Sequence, residues 1–371
     1  MSGITGAVGP TDYGMMSSLV ANAASVKQKL DQLTNQASTG LVGDTYAGLS
    51  SGASVSLDLR PQIASMQTWQ NNVDASTGRM SVAQTALTQL QSIASNFYAQ
   101  LNNVQGVDSS EIDSVAANAR DALGQVADLL DTQDGGVYVF AGQDTSNPPV
   151  PDPDGILSSG FYTEINAAVG SLDPNSNNAT TVTQETLAAA SFTGTAGPPS
   201  PFSYYLSVND TPALPTVQVG QNKTEIVGLS ASHNGLIPQP PPDTVNFTTT
   251  GSYMRDVLRA LATIGSLSSS QASAPGFTDL VQNTRISLTG AVTAMAQDTG
   301  VLGNVQSSLT ATQTQLSDTQ TALTGQVSSA EDVDMAATMS QLSLVQTQMQ
   351  ASYQLIATLN GLSLAKFLPA S

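Results

Sequence analysis

Fourteen of the 18 prolines in this chain lie between Pro148 and Pro242. Proline has no amide hydrogen, and its ring clashes with the preceding helical turn, so a helix interior excludes it. The other four, Pro10, Pro61, Pro275 and Pro369, stand alone. Two long stretches are therefore free to be helical, with one between them that is not.

In the first stretch Met66, Val73, Met80, Leu87, Ala94 and Leu101 step by seven. Trp69, Ser76, Ala83, Leu90, Phe97 and Val104 repeat the step three residues later. Together they form an a/d seam of about six heptads. Gly78 interrupts it, and Gly106 closes it in the manner of a helix C-cap. Leu19, Val26 and Leu33, with Ala23, Leu30 and Ala37, predict an earlier helix over 17–38 that stops at Thr39-Gly40. A third is predicted over 110–131, with Ser110 as N-cap and Glu111 and Asp113 in its first turn. After the proline block, Val281, Leu288, Met295, Leu302, Leu309, Leu316 and Leu323 are again seven apart. Their partner series is weaker, with Val292 and Val305 but also Thr312 and Thr319. A last run, Met335, Met339, Leu342, Val345, Met349, Tyr353, Ile356, Leu359 and Leu362, places apolar groups on one face by steps of three and four. Long, narrow runs at both ends favour extended coiled-coil hairpins over a compact bundle.

The middle holds Pro-Pro-Val-Pro-Asp-Pro at 148–153, Pro-Pro-Ser-Pro at 198–201 and Pro-Gln-Pro-Pro-Pro at 238–242. Between them Phe202–Val208, Thr216–Val219 and Thr244–Thr249 lean towards strand, which predicts a small antiparallel domain. The fold class expected is mainly α with an inserted β domain. Its divisions are 1–50 and 331–371 as terminal coiled-coil segments, 51–147 and 251–330 as halves of a helical core, and 148–250 as the insertion. An insertion of this kind is expected to be removable.

Composition narrows the function. Acidic residues number 28 against 10 basic ones, for a net charge of −18. Nucleic acid and anionic membrane surfaces both call for clustered Lys and Arg, so neither is an expected partner. With no Cys and one His, thiolate zinc sites, disulfides and His-based metal cages cannot be built. No metal or other cofactor is expected. Phosphate-binding glycine loops and the Gly-x-Ser-x-Gly and His-Glu-x-x-His patterns are absent. His233 lies in a turn-like Ser-His-Asn-Gly stretch with no nameable partner. Asp152-Pro-Asp154 lacks calcium-loop spacing, and Glu331-Asp-Val-Asp334 reads as the acidic start of the last helix. These features count against an enzyme. The first ten residues carry no basic or apolar leader, so no Sec-type signal is expected. Off the seams the helices carry Ser, Thr, Gln and Asn rather than Lys and Glu, for example at 310–315 and 346–348. Neutral amides suit a surface later buried against other subunits, where an unpaired charge would be costly.

Three short stretches carry a resemblance. Ser38-Thr39-Gly40, followed by Asp44 and Ala47-Gly48-Leu49, resembles the first helical region of flagellins and their relatives. Gly136, Tyr138, Phe140, Ala141 and Gly142, with Thr145 and Pro148, are similar to an element of the third hook-associated protein, which joins the flagellar hook to its filament. The end, Leu362-Ser-Leu-Ala-Lys-Phe-Leu368, is similar to the terminus of that branch. The resemblance covers 15–147 and 251–368. It departs at Asp44, where the family has an Asp pair, and at 87–95, which hold no arginine where receptor-recognised flagellins carry several.

The resemblance implies a structural subunit of the extracellular flagellum, joining hook to filament, with filament flagellin as the alternative, exported without a cleaved signal peptide. It implies self-association into a helical assembly, neighbouring axial proteins as further partners, and room for an export chaperone. The expected assembly seam is Leu19, Val26, Leu33, Met66, Val73, Met80, Leu87, Leu90, Phe97, Leu101, Leu302, Leu309, Leu316, Leu323, Leu342, Val345, Met349, Ile356 and Leu359.

Overall fold

A computed structural model describes residues 11–50, 52–104, 109–191, 200–209, 211–234 and 241–365. The chain forms two compact units. The first is residues 1–67 with 318–371, and the second is 68–317. Two helices contribute to both: α2 (Gly52–Val104) and α8 (Phe277–Glu331).

In the first unit α1 (Thr11–Thr39) packs along α9 (Met335–Ala365). The pair is antiparallel, because Val333, at the start of α9, donates its N–H to Gly40 O (2.9 Å) at the end of α1. Leu19, Ala23, Val26 and Leu30 are half-buried and Leu33 buried, at the steps of three and four that the sequence predicts. On α9 the sheltered series is Thr338, Leu342, Val345, Met349, Ser352 and Ile356, also in steps of four and three. Met335, Met339 and Tyr353 lie off it and are exposed. The reading that put them on one face with Leu342 followed apolar character through a helix that is apolar on more than one side. The side chains of Leu359 and Leu362 lie outside the described residues. Asp334 caps α9, its Oδ1 accepting from the N–H groups of Ala336 (2.9 Å) and Ala337 (3.1 Å).

The second unit holds the main core. Val73, Met80, Leu87, Leu90, Ala94, Phe97 and Leu101 of α2 are buried in it, as are Leu288, Met295, Leu302 and Leu309 of α8. Both seams close over α3 (Ser109–Leu130) and α7 (Tyr253–Gly265), so this part is a multi-helix core rather than a two-helix hairpin. Met66 and Leu323 in the first unit, and Leu316 in the second, are half-buried. Several amides expected to face other subunits bond within the chain. Gln84 Nε2 reaches Thr299 O (3.4 Å), Gln306 Nε2 reaches Thr77 O (3.5 Å), and Gln313 Nε2 reaches Asp74 Oδ1. Helix α2 begins at Gly52 and runs through Pro61, well before the predicted start of its seam. Gly106 lies outside the described residues.

Among its described residues the middle region is more helix than strand, with α4 (Gly160–Gly170), α5 (Ala179–Ala190), the short α6 (Tyr204–Val208) and one hairpin. The strand expected over Phe202–Val208 is therefore a helical turn. Leu206 and Ser207 are buried there, and Ser207 N–H donates to Ser203 O (2.9 Å). Thr244–Thr249 is a loop organised by Asp243, whose carboxylate accepts from Val245 N, Asn246 N and Thr248 Oγ1 at 2.7–3.0 Å. Those bonds hold its pKa down to about 2. Only Thr216–Val219 is strand as expected, within a hairpin of β3 (Thr216–Gly220) and β4 (Lys223–Ile226). Both β-propensity readings failed where Pro and Ser close the segment and local hydrogen bonds replace a ladder.

Helix α7 is buried along its whole length, and α3, α4 and α5 pack against it. Ser252 caps it, and Ser252 Oγ and Met254 N both donate to Asn234 Oδ1 (2.8 Å each). Arg255 donates to Ser232 O (2.7 Å) and Ala190 O (3.0 Å) and lies over the Phe202 ring (4.7 Å). Arg259 donates to Phe247 O (2.8 Å), Thr248 O (3.0 Å) and Ser287 Oγ (2.9 Å). The middle region is thus bonded into the same core as the helical halves.

Candidate functional site

Two sets of predicted residues meet structural features that a site can be built on. The first is the motif at 136–142, at the end of the first helical half. Gly135 (φ +58°) and Gly136 (φ +84°) form the left-handed turn between β1 (Gln133–Asp134) and β2 (Val137–Tyr138). Two successive positive φ angles match a type I′ hairpin, which explains glycine at both places. Tyr138 N–H donates to Thr145 O (3.0 Å). Phe140 and Ala141 are buried, Ala141 pairs with Ser230, and Ala231 N–H donates to Phe140 O (2.8 Å). At Gly142 (φ +65°) a Cβ would stand 3.1 Å from Ala213 O. The motif is a structural clip between α3 and the middle region. It was legible in sequence, but the segment at 230–231 that it bridges to was not.

The second is the terminal unit. Ser38 and Thr39 are exposed, and Thr39 Oγ1 donates to Asn35 O (2.9 Å) while accepting from Leu41 N (3.2 Å). Gly40 follows at φ +76° with its N–H on Gln36 O (2.9 Å), the left-handed C-cap that a β-carbon would strain. Beyond it Val42 N–H donates to Glu331 O (2.7 Å). Glu331, 7% exposed, receives Arg60 Nε (2.8 Å) and Nη2 (2.5 Å), and Ser56 Oγ on the same carboxylate. The Arg60 and Ser56 bonds hold its pKa below the usual glutamate value. The sequence reading took this acid as part of a helix start. Nothing in the local pattern points to Arg60, some 270 residues away.

The terminal unit buries little. Among its described residues only Leu33, Leu49, Ser56, Val327, Glu331, Thr338 and Val345 are buried. It carries nine of the fourteen large apolar side chains that stand exposed among the described residues, though it is about a third of the chain. Val20, Tyr46, Val55 and Leu57 come from its N-terminal part, and Met335, Met339, Leu344, Tyr353 and Leu355 from α9. Leu344, Ala351 and Leu355 lie seven and four apart, on a face turned away from α1.

Catalytic features do not gather. His233 is exposed, while its neighbour Asn234 is the buried residue that bonds to the start of α7. Among the described residues no group of three or more His, Asp or Glu could hold a metal ion. Among the same residues no helix is long and apolar enough to cross a membrane.

Comparison with curated proteins gave no match. Family models did match. Residues 12–145 fit the bacterial flagellin N-terminal helical region, and 287–368 fit the bacterial flagellin C-terminal helical region. The two matches bracket the middle region and take in α1 to the motif on one side and most of α8 and α9 on the other. With both terminal regions present in order and paired in the structure, the chain belongs to the bacterial flagellin family, whose members are structural, non-enzymatic subunits of the extracellular flagellum.

Proposed function

We infer that this chain is an axial subunit of the flagellum at the junction of hook and filament, and that it assembles through its terminal unit. The observation that carries self-assembly is the set of exposed apolar side chains on α9, α1 and the start of α2, in a unit with little core of its own. Neighbouring copies burying that surface would gain about 25 cal/mol per Å². The assembly residues are then the outer face of α9 together with the half-buried seam around Leu19, Val26, Leu342, Met349 and Ile356. The seam positions deep in the second unit, Met80, Leu87 and Leu302 among them, keep the subunit folded instead.

Junction rather than filament is favoured by the Tyr138-Val-Phe-Ala-Gly142 element. Filament flagellin is the second reading. Further expected partners are flagellin and another hook-associated protein on either side, and an export chaperone before assembly. Export would proceed without a cleaved signal peptide. The test is a deletion strain. Complete hooks that release soluble filament protein support the junction role. Intact junctions lacking only their major filament subunit would instead identify this chain as that subunit.

A further inference from the structure

We propose that Arg60 and Glu331 are positioning residues for self-assembly: they shut a clasp that fixes the end of α1 against the start of α9, and the terminal pair presents its outer face only while the clasp is shut. The inference rests on the self-assembly reading above.

Four helix ends meet at one place in the terminal unit. Helix α1 ends at Thr39, α2 starts at Gly52, α8 ends at Glu331 and α9 starts at Met335. Glu331 joins them by two routes. Its carboxylate takes both nitrogens of Arg60 and the hydroxyl of Ser56 from α2. Its backbone carbonyl takes Val42 N–H from the link after α1. One residue on, Leu41 pairs with Asp332 in an antiparallel bridge, and Val333 N–H reaches back to Gly40 O. At Gly52 a Cβ would stand 2.9 Å from Ala330 O, so α2 starts directly against the end of α8.

The α1–α9 seam fixes its own register only in part. Its sheltered positions include Ala23, Ala37, Thr338 and Ser352, small or polar groups that make shallow knobs. A slide of one residue would break both backbone bonds around Leu41 and Asp332. It would also pull a buried carboxylate from its partners, a strongly unfavourable step. The clasp therefore reinforces the register that the seam sets only in part.

The chain has no cysteine, which allows a clean test. Leu41 and Asp332 face each other with their flanking groups, rather than their own, making the backbone bonds. Such non-hydrogen-bonded pairs hold their Cα atoms about 4.5 Å apart, within disulfide reach. We would compare polymerisation of the wild-type chain, Arg60→Met, and Arg60→Met combined with Leu41→Cys and Asp332→Cys. Arg60→Met is expected to raise the critical concentration roughly tenfold or more, the equivalent of about 1.4 kcal/mol. The triple variant should be as poor when reduced and recover when oxidised. Amide exchange of α7 in the second unit should not change in any of them. Wild-type assembly by Arg60→Met, no recovery on oxidation, or loss of α7 protection would each overturn the clasp while leaving self-assembly standing. A wild-type chain that forms no polymer would overturn the self-assembly reading and the clasp with it.

Discussion

Ser76 sits in the α2 seam at 1% exposure, and its hydroxyl has no hydrogen-bond partner among the described residues. A buried polar group left unpaired costs about 1–3 kcal/mol. Ser76→Ala should therefore stabilise the chain by about 1 kcal/mol, read as a higher urea midpoint at unchanged slope. A lower midpoint would mean that the hydroxyl has a partner after all. Leu309, fully buried in the α8 seam, gives the opposite case: Leu309→Ala should cost about 2–5 kcal/mol. Asp131 links residue chemistry to pH. Burial raises its pKa to about 6, although Val150 N–H bonds to its carboxylate (2.8 Å) and works the other way. The folded state thus holds a proton that the unfolded state has already lost. Stability is full below the ordinary carboxylate range, falls as pH rises through the folded value near 6, and is flat above it. Asp131→Asn keeps an acceptor for Val150 and should flatten that decline in denaturation midpoints taken between pH 4 and pH 7. A mutant profile parallel to the wild-type one would clear Asp131 of the effect. Leu309 was legible as a seam residue, but neither Ser76 nor Asp131 announces itself in sequence. Ser76 reads as one more seam residue, and Asp131 as the polar end of α3. What distinguishes them is burial from elements remote in the chain.

At the scale of elements, the heptad steps gave the helices away because burial on one side imposes a period on any sequence. Helices α1, α2, α3, α8 and α9 were all legible for that reason. Their partners were harder to read. A seven-residue step is compatible with a two-helix hairpin and with a multi-helix core, and α2 and α8 in the second unit took the latter form. Helix α7 was missed, although Ser252 caps it and Tyr253, Val257, Leu261 and Ile264 keep helical spacing. It is short, and its polar stripe of Arg255, Asp256, Arg259 and Thr263 is buried against the middle region rather than solvated, so it does not stand out as a surface helix. Helix α9 carries the prediction that belongs here. Its sheltered series faces α1, and Leu344 (59% exposed) and Leu355 (53% exposed) face away. Replacing both with Ser should leave the urea midpoint of the free chain unchanged, because neither contributes to its core. It should markedly weaken polymerisation, followed by sedimentation of assembled material. Equal polymer yield from variant and wild type would remove the outer face of α9 from the assembly surface.

For the whole molecule, the proline block made the middle look like a separate insertion, and proline does govern its local structure. The block does not govern where that region packs. Val150, Ile156, Phe161, Ile165, Val169, Val182, Phe202, Leu206, Val219 and Leu229 belong to the same core cluster as the α2 and α8 seams. Removing 150–245 would strip three kinds of support from α7 at once. The apolar contacts of α4 and α5 would go, exposing side chains such as Leu258 and Leu261 that are now fully buried. Asn234, which holds the start of the helix, would go with them. Arg255 would lose Ser232 O, Ala190 O and the Phe202 ring, leaving a guanidinium that is 4% exposed without those partners. Losing part of a buried charge's bonding costs up to about 3–5 kcal/mol, a large fraction of the roughly 5–15 kcal/mol that holds a domain folded. The deleted chain is therefore expected to lose its cooperative unfolding transition in calorimetry, against the expectation from sequence that the region can be removed. A deletion chain that melts in one sharp transition near the wild-type temperature would show that α2, α3, α7 and α8 close a core by themselves, and that the middle region is an appendage after all.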